Sequence, residues 1–295
     1  MACEHLVAPA CGENVINMSS AYGNCTNITR AVCGNKVVNF DNAFTNCCLL
    51  TTAVCGESVE KMDHAYFNSW GLTTAACGNK VRSMNYAYAS CNMLNKAVCG
   101  PNVQYMIGTY YNCRNLTTAV CGESVINMTN AYSGCNAANK LTAAACGNNV
   151  VDMSNAYYYC SYIKDGVCGP NVVNMSHAYH YAYNLVNGAC GDKVEDMSYA
   201  YYYTNIRNAV CGPNVTNMAY CYYGCDYMYK ANCGNNVVDM SYAYYNCTGN
   251  NTSLTTAVCG PNVINMAYSF YNCNKLTTVN VGEKVQNLAY AFYNC

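Results

Sequence analysis

The feature that most constrains this chain is a Cys-Gly pair that recurs along it, in most cases every 22 residues. The first residue of each pair is called the anchor here, and the anchors are Cys11, Cys33, Cys55, Cys77, Cys99, Cys121, Cys146, Cys168, Cys190, Cys211, Cys233 and Cys259, with Val281 as a thirteenth. One spacing is 21, and two longer ones indicate small loop insertions near residues 137–140 and 249–251. Such a period is typical of a solenoid, because no single unit can bury its own apolar face.

Apolar residues keep fixed distances from the anchor, and position n denotes the nth residue after it. Position 4 is always Val, and position 7 is Met except at Phe40 and Leu288. Positions 10 and 11 hold a small residue and an aromatic one, and position 14 is in most repeats a second cysteine. An aliphatic residue stands five places before the next anchor, so one unit reads CGxxVxxMxxAYxxCxxLTTAV.

These spacings predict the secondary structure of the unit. Apolar steps of 3 and 4 residues through the middle predict a short helix or helical turns, and the LTTAVC segment predicts a short strand that ends at the glycine. The expected fold is an α/β repeat solenoid, with one short parallel strand and one short helix or set of helical turns per repeat and about 13 repeats. Residues 1–295 form a single domain in this interpretation, and residues 1–10 are a partial first repeat.

With this unit the chain resembles the BspA-like leucine-rich repeats. Residues 254–273, LTTAVCGPNVINMAYSFYNC, and residues 276–295, LTTVNVGEKVQNLAYAFYNC, are similar to that family's LTSITIP..V..I...AF..C..L. The resemblance implies a leucine-rich-repeat solenoid and a role in adhesion or protein binding at a surface, and the architecture is also similar to repeats of some viral proteins. Cys-Gly replaces the family's Ile-Pro and Ala replaces a strand Ile, which shrinks a core that adaptable Met side chains partly refill.

The 25 cysteines allow three interpretations. Equivalent residues of stacked repeats are separated by about 4.8 Å, whereas a disulfide needs Cβ atoms about 3.8 Å apart. Ser69, Ala182 and Thr204 replace the second cysteine without the loss of a partner nearby. We therefore predict buried thiols that act as small hydrophobic residues, which favours a reducing compartment. Some disulfides and, less favoured, metal sites are the alternatives.

Composition and motifs argue against several functions. The net charge is −1 with scattered basic residues, so nucleic acid is not an expected partner. No run approaches the roughly 18 apolar residues of a membrane span, so no membrane insertion is expected. The start MACEHLVAPACGEN lacks the pattern of a signal peptide. Because no phosphate loop, nucleophile elbow or zinc-protease motif occurs, neither an enzyme nor a cofactor is predicted. These features do not decide the cellular compartment.

Two histidines were considered as metal ligands. His177 and His180 stand three residues apart, where two imidazoles on one helical turn can share a metal. Neighbouring repeats carry Tyr or Asn at these places, which favours a solvated surface instead.

Two faces are candidate binding surfaces. In the last five repeats, aromatic residues stand two places before and one place after the buried aromatic, on the predicted exposed side: Tyr199, Tyr202, Tyr220, Tyr223, Tyr242, Tyr245, Tyr268, Tyr271, Tyr290 and Tyr293. Exposed Tyr is enriched at recognition surfaces, although these rings can equally well stack into a stabilising ladder. The strand face, flat and uncharged, offers Thr52, Val54, Thr118, Val120, Thr256 and Val258.

The sequence starts and stops at nearly the same phase of the repeat, and neither end looks capped. The leading hypothesis is a non-enzymatic binding or adhesion module that presents a repetitive surface to a protein or glycan. The alternative is a structural protein that assembles head to tail into filaments or into virion or cell-surface appendages. A segment cut from a longer gene product would have the same ends.

Overall fold

The computed structural model describes residue 3, residues 5–249 and residues 254–295. They belong to two compact units, Met1–Val150 and Val151–Cys295. The single domain over residues 1–295 and the count of 13 repeats stay predictions. The insertion near residues 137–140 folds as turns and bends. The one near residues 249–251, and part of the partial first repeat, lie outside the described residues.

The β-strands lie in unit 2. β1, Thr256–Val258, and β2, Thr278–Asn280, pair in parallel, with Thr256 opposite Thr278. Elsewhere in the described chain the predicted strands are reduced to isolated parallel bridges, such as Thr52 with Thr74. The predicted short helix is wrong as far as the structure describes the chain, since residue 3 and the ranges 5–249 and 254–295 contain turns in its place.

Left-handed residues explain the missing helix. Positions 9 and 13 after every anchor have a positive φ, between 52° and 78°; in the repeat anchored at Cys33 these are Asn42 and Asn46. A left-handed residue cannot continue a right-handed helix, and only Gly, Asn and Asp adopt this conformation readily. Two such residues four places apart break the segment into consecutive turns while preserving the helix-like apolar spacing.

The same backbone conformation links neighbouring repeats. Within each unit, the N–H groups at positions 7, 9, 11 and 13 donate to carbonyls of the next repeat: Phe40, Asn42, Phe44 and Asn46 bond to Lys61, Asp63, Ala65 and Phe67 at 2.7–2.9 Å. The alternate N–H groups close turns within the repeat, as Ala43 does on Phe40 at 3.2 Å. Buried backbone groups need partners, and here the next repeat supplies half of them.

The core is a set of ladders, and its predicted apolar members are buried in the interior repeats. The prediction of buried thiols is wrong for the anchors from Cys11 to Cys211, which are half-buried. In the repeat anchored at Cys99, Val103, Met106, Tyr110 and Cys113 are completely buried. The aromatic rings at position 11 stack from repeat to repeat within each unit, with Tyr66, Tyr88 and Tyr110 separated by 5.4 and 5.6 Å.

The buried tyrosines do more than fill space. The hydroxyl of Tyr110 accepts a hydrogen bond from the Val98 N–H at 2.8 Å and donates one to the Val98 carbonyl at 2.6 Å. The same two bonds join Tyr22 to Ala10, Tyr66 to Val54, Tyr88 to Ala76, Tyr132 to Val120, Tyr179 to Val167, Tyr201 to Ala189, Tyr222 to Val210 and Tyr244 to Asn232. This tyrosine clamp holds the residue before each of these anchors, and it explains why position 11 is Tyr rather than Phe in most repeats.

The clamp also explains where strands form. A clamped residue has its N–H and C=O occupied by one phenol, so it cannot join a ladder with the next repeat. Phe270 and Phe292 stand at position 11 in consecutive repeats, and the residues twelve places before them, Val258 and Asn280, are paired in β1 and β2. The lone Phe44 between two tyrosine repeats gives no strand, because pairing needs unclamped groups on both sides.

The position-14 thiols act as hydrogen-bond donors, which the sequence did not reveal. The Cys113 Sγ donates to the Tyr88 carbonyl of the preceding repeat at 2.9 Å, and Cys91 donates to Tyr66 at 3.1 Å. Ser69, which replaces a cysteine, makes the same bond to Phe44 at 2.8 Å. All 25 cysteines, each within the described residues, are free thiols. Burial raises the pKa of Cys113 to about 12, so this thiol stays protonated.

The anchor glycines are required by close packing. A Cβ on Gly56 would lie 2.7 Å from the Gly34 carbonyl oxygen and 2.8 Å from the Cys33 Sγ. The small Cys-Gly pair therefore allows the repeats to approach each other on this side.

Replacing Tyr110 by Phe is expected to destabilise the chain by about 1–3 kcal/mol, because the Val98 backbone groups lose their partner. Tyr111→Phe, at a 44% exposed neighbour, is the matched control and should stay within about 0.5 kcal/mol. Urea unfolding measures both. Equal effects of the two substitutions would refute the clamp.

For Cys113, we expect the Ser variant to be more stable than the Val variant by about 1 kcal/mol, since Ser keeps a donor for the Tyr88 carbonyl and Val does not. Urea unfolding of the two variants compares them directly. If the thiol serves only as a small hydrophobic residue, the order will be reversed.

Candidate functional site

The strand face is less uniform than predicted. Thr52, Thr118 and Thr256 are exposed, as is Val258, whereas Val54 and Val120 are half-buried and held by tyrosine clamps. The same place in other repeats holds charged residues, namely Lys96, Asp165 and Lys230. The expectation of an uncharged face is therefore wrong beyond a few repeats.

The predicted tyrosines come together in unit 2 as two parallel rows. The position-9 row is His177, Tyr199, Tyr220, Tyr242, Tyr268 and Tyr290, and the position-12 row is His180, Tyr202, Tyr223, Tyr245, Tyr271 and Tyr293. The interior tyrosines are half-buried, and only Tyr290 and Tyr293, at 58% and 50%, are largely exposed. The expectation that all ten lie exposed is thus corrected: most of each ring is covered by its neighbours.

Ring stacking gives the rows their regularity. Neighbouring rings of the position-9 row are 4.4–4.9 Å apart with interplanar angles of 5–17°. The tyrosines of the position-12 row are 4.6–4.8 Å apart at 5–14°. The two rows contact each other, as Tyr242 does with Tyr245 at 5.8 Å. The stacked ladder considered as an alternative is therefore present.

The rings of the two outer rows stack more closely than those of the core. The buried position-11 rings of unit 2 have centroids 5.3–5.8 Å apart, compared with at most 4.9 Å for the tyrosines of the two outer rows. Each outer row is therefore a continuous stack of rings along unit 2.

The faces of the interior rings are covered by the rings above and below, so the rows present ring edges and hydroxyl groups to a partner. Partial burial, followed by neighbouring phenols, raises the pKa of Tyr223 to about 12. Because the ordinary pKa of a phenol is about 10, the tyrosine rows are uncharged near neutral pH.

The position-9 tyrosines occupy an unfavourable backbone conformation. Tyr199, Tyr242 and Tyr268 all have φ of 57°. The left-handed region costs a bulky residue about 1–2 kcal/mol, and at the same position unit 1 uses Asn42 and Asn130. Backbone stability would favour Asn or Gly over Tyr at this position. Residues held in such conformations cluster at functional sites.

The histidines begin the two rows. The Nδ1 atoms of His177 and His180 are 2.9 Å apart, and the two rings are nearly parallel to that of Tyr199. His180 is 8% exposed and its Nε2 has no hydrogen-bond partner within the described chain. The predicted solvated surface is therefore wrong for His180. Residue 3 and the ranges 5–249 and 254–295 contain no group of three His, Cys, Asp or Glu suited to a metal.

Burial lowers the pKa of both imidazoles. For His180 the pKa falls to about 4, mainly by burial and secondly by His177. For His177, burial is the larger cause and Asp196 opposes it. Both rings are neutral at pH 7, in keeping with their stacking on tyrosine.

A shallow groove in unit 2 was missed by the sequence reasoning. Its volume is about 650 Å³, and it lies along Asn214, Asn236 and Asn262 with Val238 and Ile264 beside them. The asparagines, all at position 3, donate to backbone carbonyls of the preceding repeat. Their recurrence at position 3 was the available signal. Because these amides are used within the fold, the groove is a weaker candidate than the tyrosine rows.

The described part of the chain has no helix long and apolar enough to span a membrane.

Stability should fall as the pH drops from 7 to 5. Between the unfolded histidine pKa of about 6.5 and the folded value of about 4, the unfolded chain binds a proton that buried His180 does not. His180→Tyr, which continues its row, should reduce this loss, whereas His5→Asn at an exposed histidine should not. Urea unfolding at both pH values measures the loss, and equal pH dependence of all three proteins would contradict the assignment.

Comparison with known proteins agrees with this geometry. The family model of the BspA type leucine rich repeat region (6 copies) matches residues 16–139 and 194–295. A leucine-rich repeat protein from Bacteroides ovatus has a similar solved structure, with a TM-score of 0.67 and 18% identity over 95% of this chain and 68% of that chain. The pneumococcal vaccine antigen PcpA follows with a TM-score of 0.50 and 12% identity over 90% and 77%.

At these identities the solved structures show the shared fold alone. A search of curated proteins gave no match. The family model covers more than half of the sequence, so the chain belongs to the BspA type leucine-rich repeat family.

Proposed function

We propose that this protein is a non-enzymatic binding module whose contact surface is the pair of tyrosine rows in unit 2. The observation that carries the proposal is the use of tyrosine at a left-handed position in five successive repeats of unit 2, whereas the same position in unit 1 varies among Ser, Asn, His, Tyr and Gly. Leucine-rich repeat proteins generally act by binding other proteins.

Chemistry favours a protein over a glycan as that partner. Sugar rings pack against the open faces of aromatic side chains, but neighbours at 4.4–4.9 Å cover the interior faces here. Tyrosine edges and hydroxyls combine apolar contact with hydrogen bonding and lose little side-chain entropy on binding. Both properties suit a protein surface.

Two observations support a binding role over catalysis. The buried thiols have raised pKa values, as at Cys113, so they are poor nucleophiles. The histidine pair packs among tyrosine rings, and burial lowers the pKa of both imidazoles, which makes them weak bases. Head-to-tail assembly through the ends, the alternative from the sequence, stays a prediction.

The proposal is tested by replacing Tyr220 and Tyr242 with Asn, which suits the left-handed backbone, and comparing capture of proteins by the immobilised variant and wild type. We expect the variant to lose most of the specifically captured protein, quantified by mass spectrometry. Interface tyrosines commonly contribute 2 kcal/mol or more each, on the order of a 30-fold loss in affinity.

The matched control is Tyr229→Ser, at a 43% exposed tyrosine outside the two rows. It should capture as wild type does. Equal capture by wild type and the Asn variant would assign binding to another surface, and equal loss in the control would show a general effect of tyrosine content.

A further inference from the structure

We propose that the partner that fits the tyrosine rows is a second copy of this chain, docked side by side so that the rows of the two copies face each other. This inference rests on the proposed function, since it names the partner of the same surface. It differs from assembly through the ends, because the contact runs along the repeats.

The repeat distance of the surface selects the partner. The position-12 tyrosines recur every 4.6–4.8 Å. An extended chain lying along the row would present equivalent side chains about every 6.6 Å, an α-helix about every 5.4 Å, and a polyproline helix about every 9.3 Å. None of these stays in register with the rings over five repeats.

Stacked parallel strands, separated by about 4.7–4.9 Å, do match this distance. A repeat solenoid lying alongside can therefore place one repeat against each ring of the rows. This chain is such a solenoid, so the rows of a second copy have the same spacing.

The chemistry of the rows is self-complementary. A phenol hydroxyl both donates and accepts hydrogen bonds, so a row of hydroxyls can pair with an identical row. The tyrosines carry no charge near neutral pH, because the ordinary pKa of a phenol is about 10. Two copies can thus approach without like-charge repulsion between the rows, and a two-fold axis would bring the same patch of each copy together.

Asymmetry between the units supports a surface of limited extent. Tyrosines pair at positions 9 and 12 only from Tyr199 onwards, whereas position 9 of unit 1 holds Ser20, Asn42, His64, Tyr86, Gly108 and Asn130. If stacking served stability alone, both units would profit from it equally. The rows instead form one patch in unit 2.

The test is sedimentation velocity of the full chain over a wide concentration range, with wild type, Tyr220→Asn/Tyr242→Asn, and the control Tyr229→Ser. Wild type and the control should form dimers, and the double variant should show a dissociation constant at least about tenfold weaker. A second variant, Tyr271→Lys, places like charges opposite each other in the dimer and should weaken it in a salt-dependent way. Far-UV circular dichroism and urea unfolding verify that each variant is folded.

The double variant also distinguishes the two geometries. Docking through the rows predicts that Tyr220→Asn/Tyr242→Asn weakens the dimer, whereas end-to-end assembly would leave its dissociation constant unchanged and overturn the inference. A monomeric wild type would also overturn it. If the chain is monomeric but Tyr220→Asn/Tyr242→Asn still loses captured protein, the proposed function stands with a foreign partner. If capture is unchanged as well, both fail.

Discussion

The structure depends on one backbone constraint, the pair of left-handed residues at positions 9 and 13 of each repeat. They turn the chain so that alternate N–H groups point at the next repeat, where they bond to carbonyls at 2.7–3.0 Å in the repeats anchored at Cys33 and Cys55. In a helix, those N–H groups would bond to carbonyls within the same segment. Cohesion between repeats therefore comes from the backbone itself, and the apolar ladders add to it.

Side-chain hydrogen bonds add to the backbone links between repeats. Tyrosine clamps hold the residue before most anchors, and position-14 thiols tie a repeat to its predecessor, as Cys113 does to Tyr88. Because the clamps occupy backbone groups that a strand would use, the sheet within the described residues consists of β1 and β2, in the two consecutive repeats with phenylalanine at position 11. One hydroxyl group per repeat thus decides between a clamp and a strand.

The period, the family and the buried ladders could all be predicted from the sequence, because Val, Met and the aromatic recur at fixed positions and apolar burial follows that pattern. The helix could not be excluded, since spacings of 3 and 4 residues suit helical turns and consecutive turns alike. The two are distinguished by the left-handed backbone of Asn42, Asn46 and their equivalents. In the sequence these positions look like ordinary polar residues. Nor could the sequence show whether Tyr199 and Tyr202 project or stack, because that depends on the distance between repeats.

The same left-handed positions place the tyrosine rows, so the fold and the proposed surface have a common origin. The most direct test is the unfolding free energy of Asn42→Gly and Asn42→Ala, measured in urea. A left-handed residue predicts that the Gly variant is the more stable of the two, by about 1 kcal/mol, since Ala pays the steric penalty of positive φ and Gly does not. If the segment were helical, Ala would be the more stable by a similar amount, and that order would contradict the structure described above.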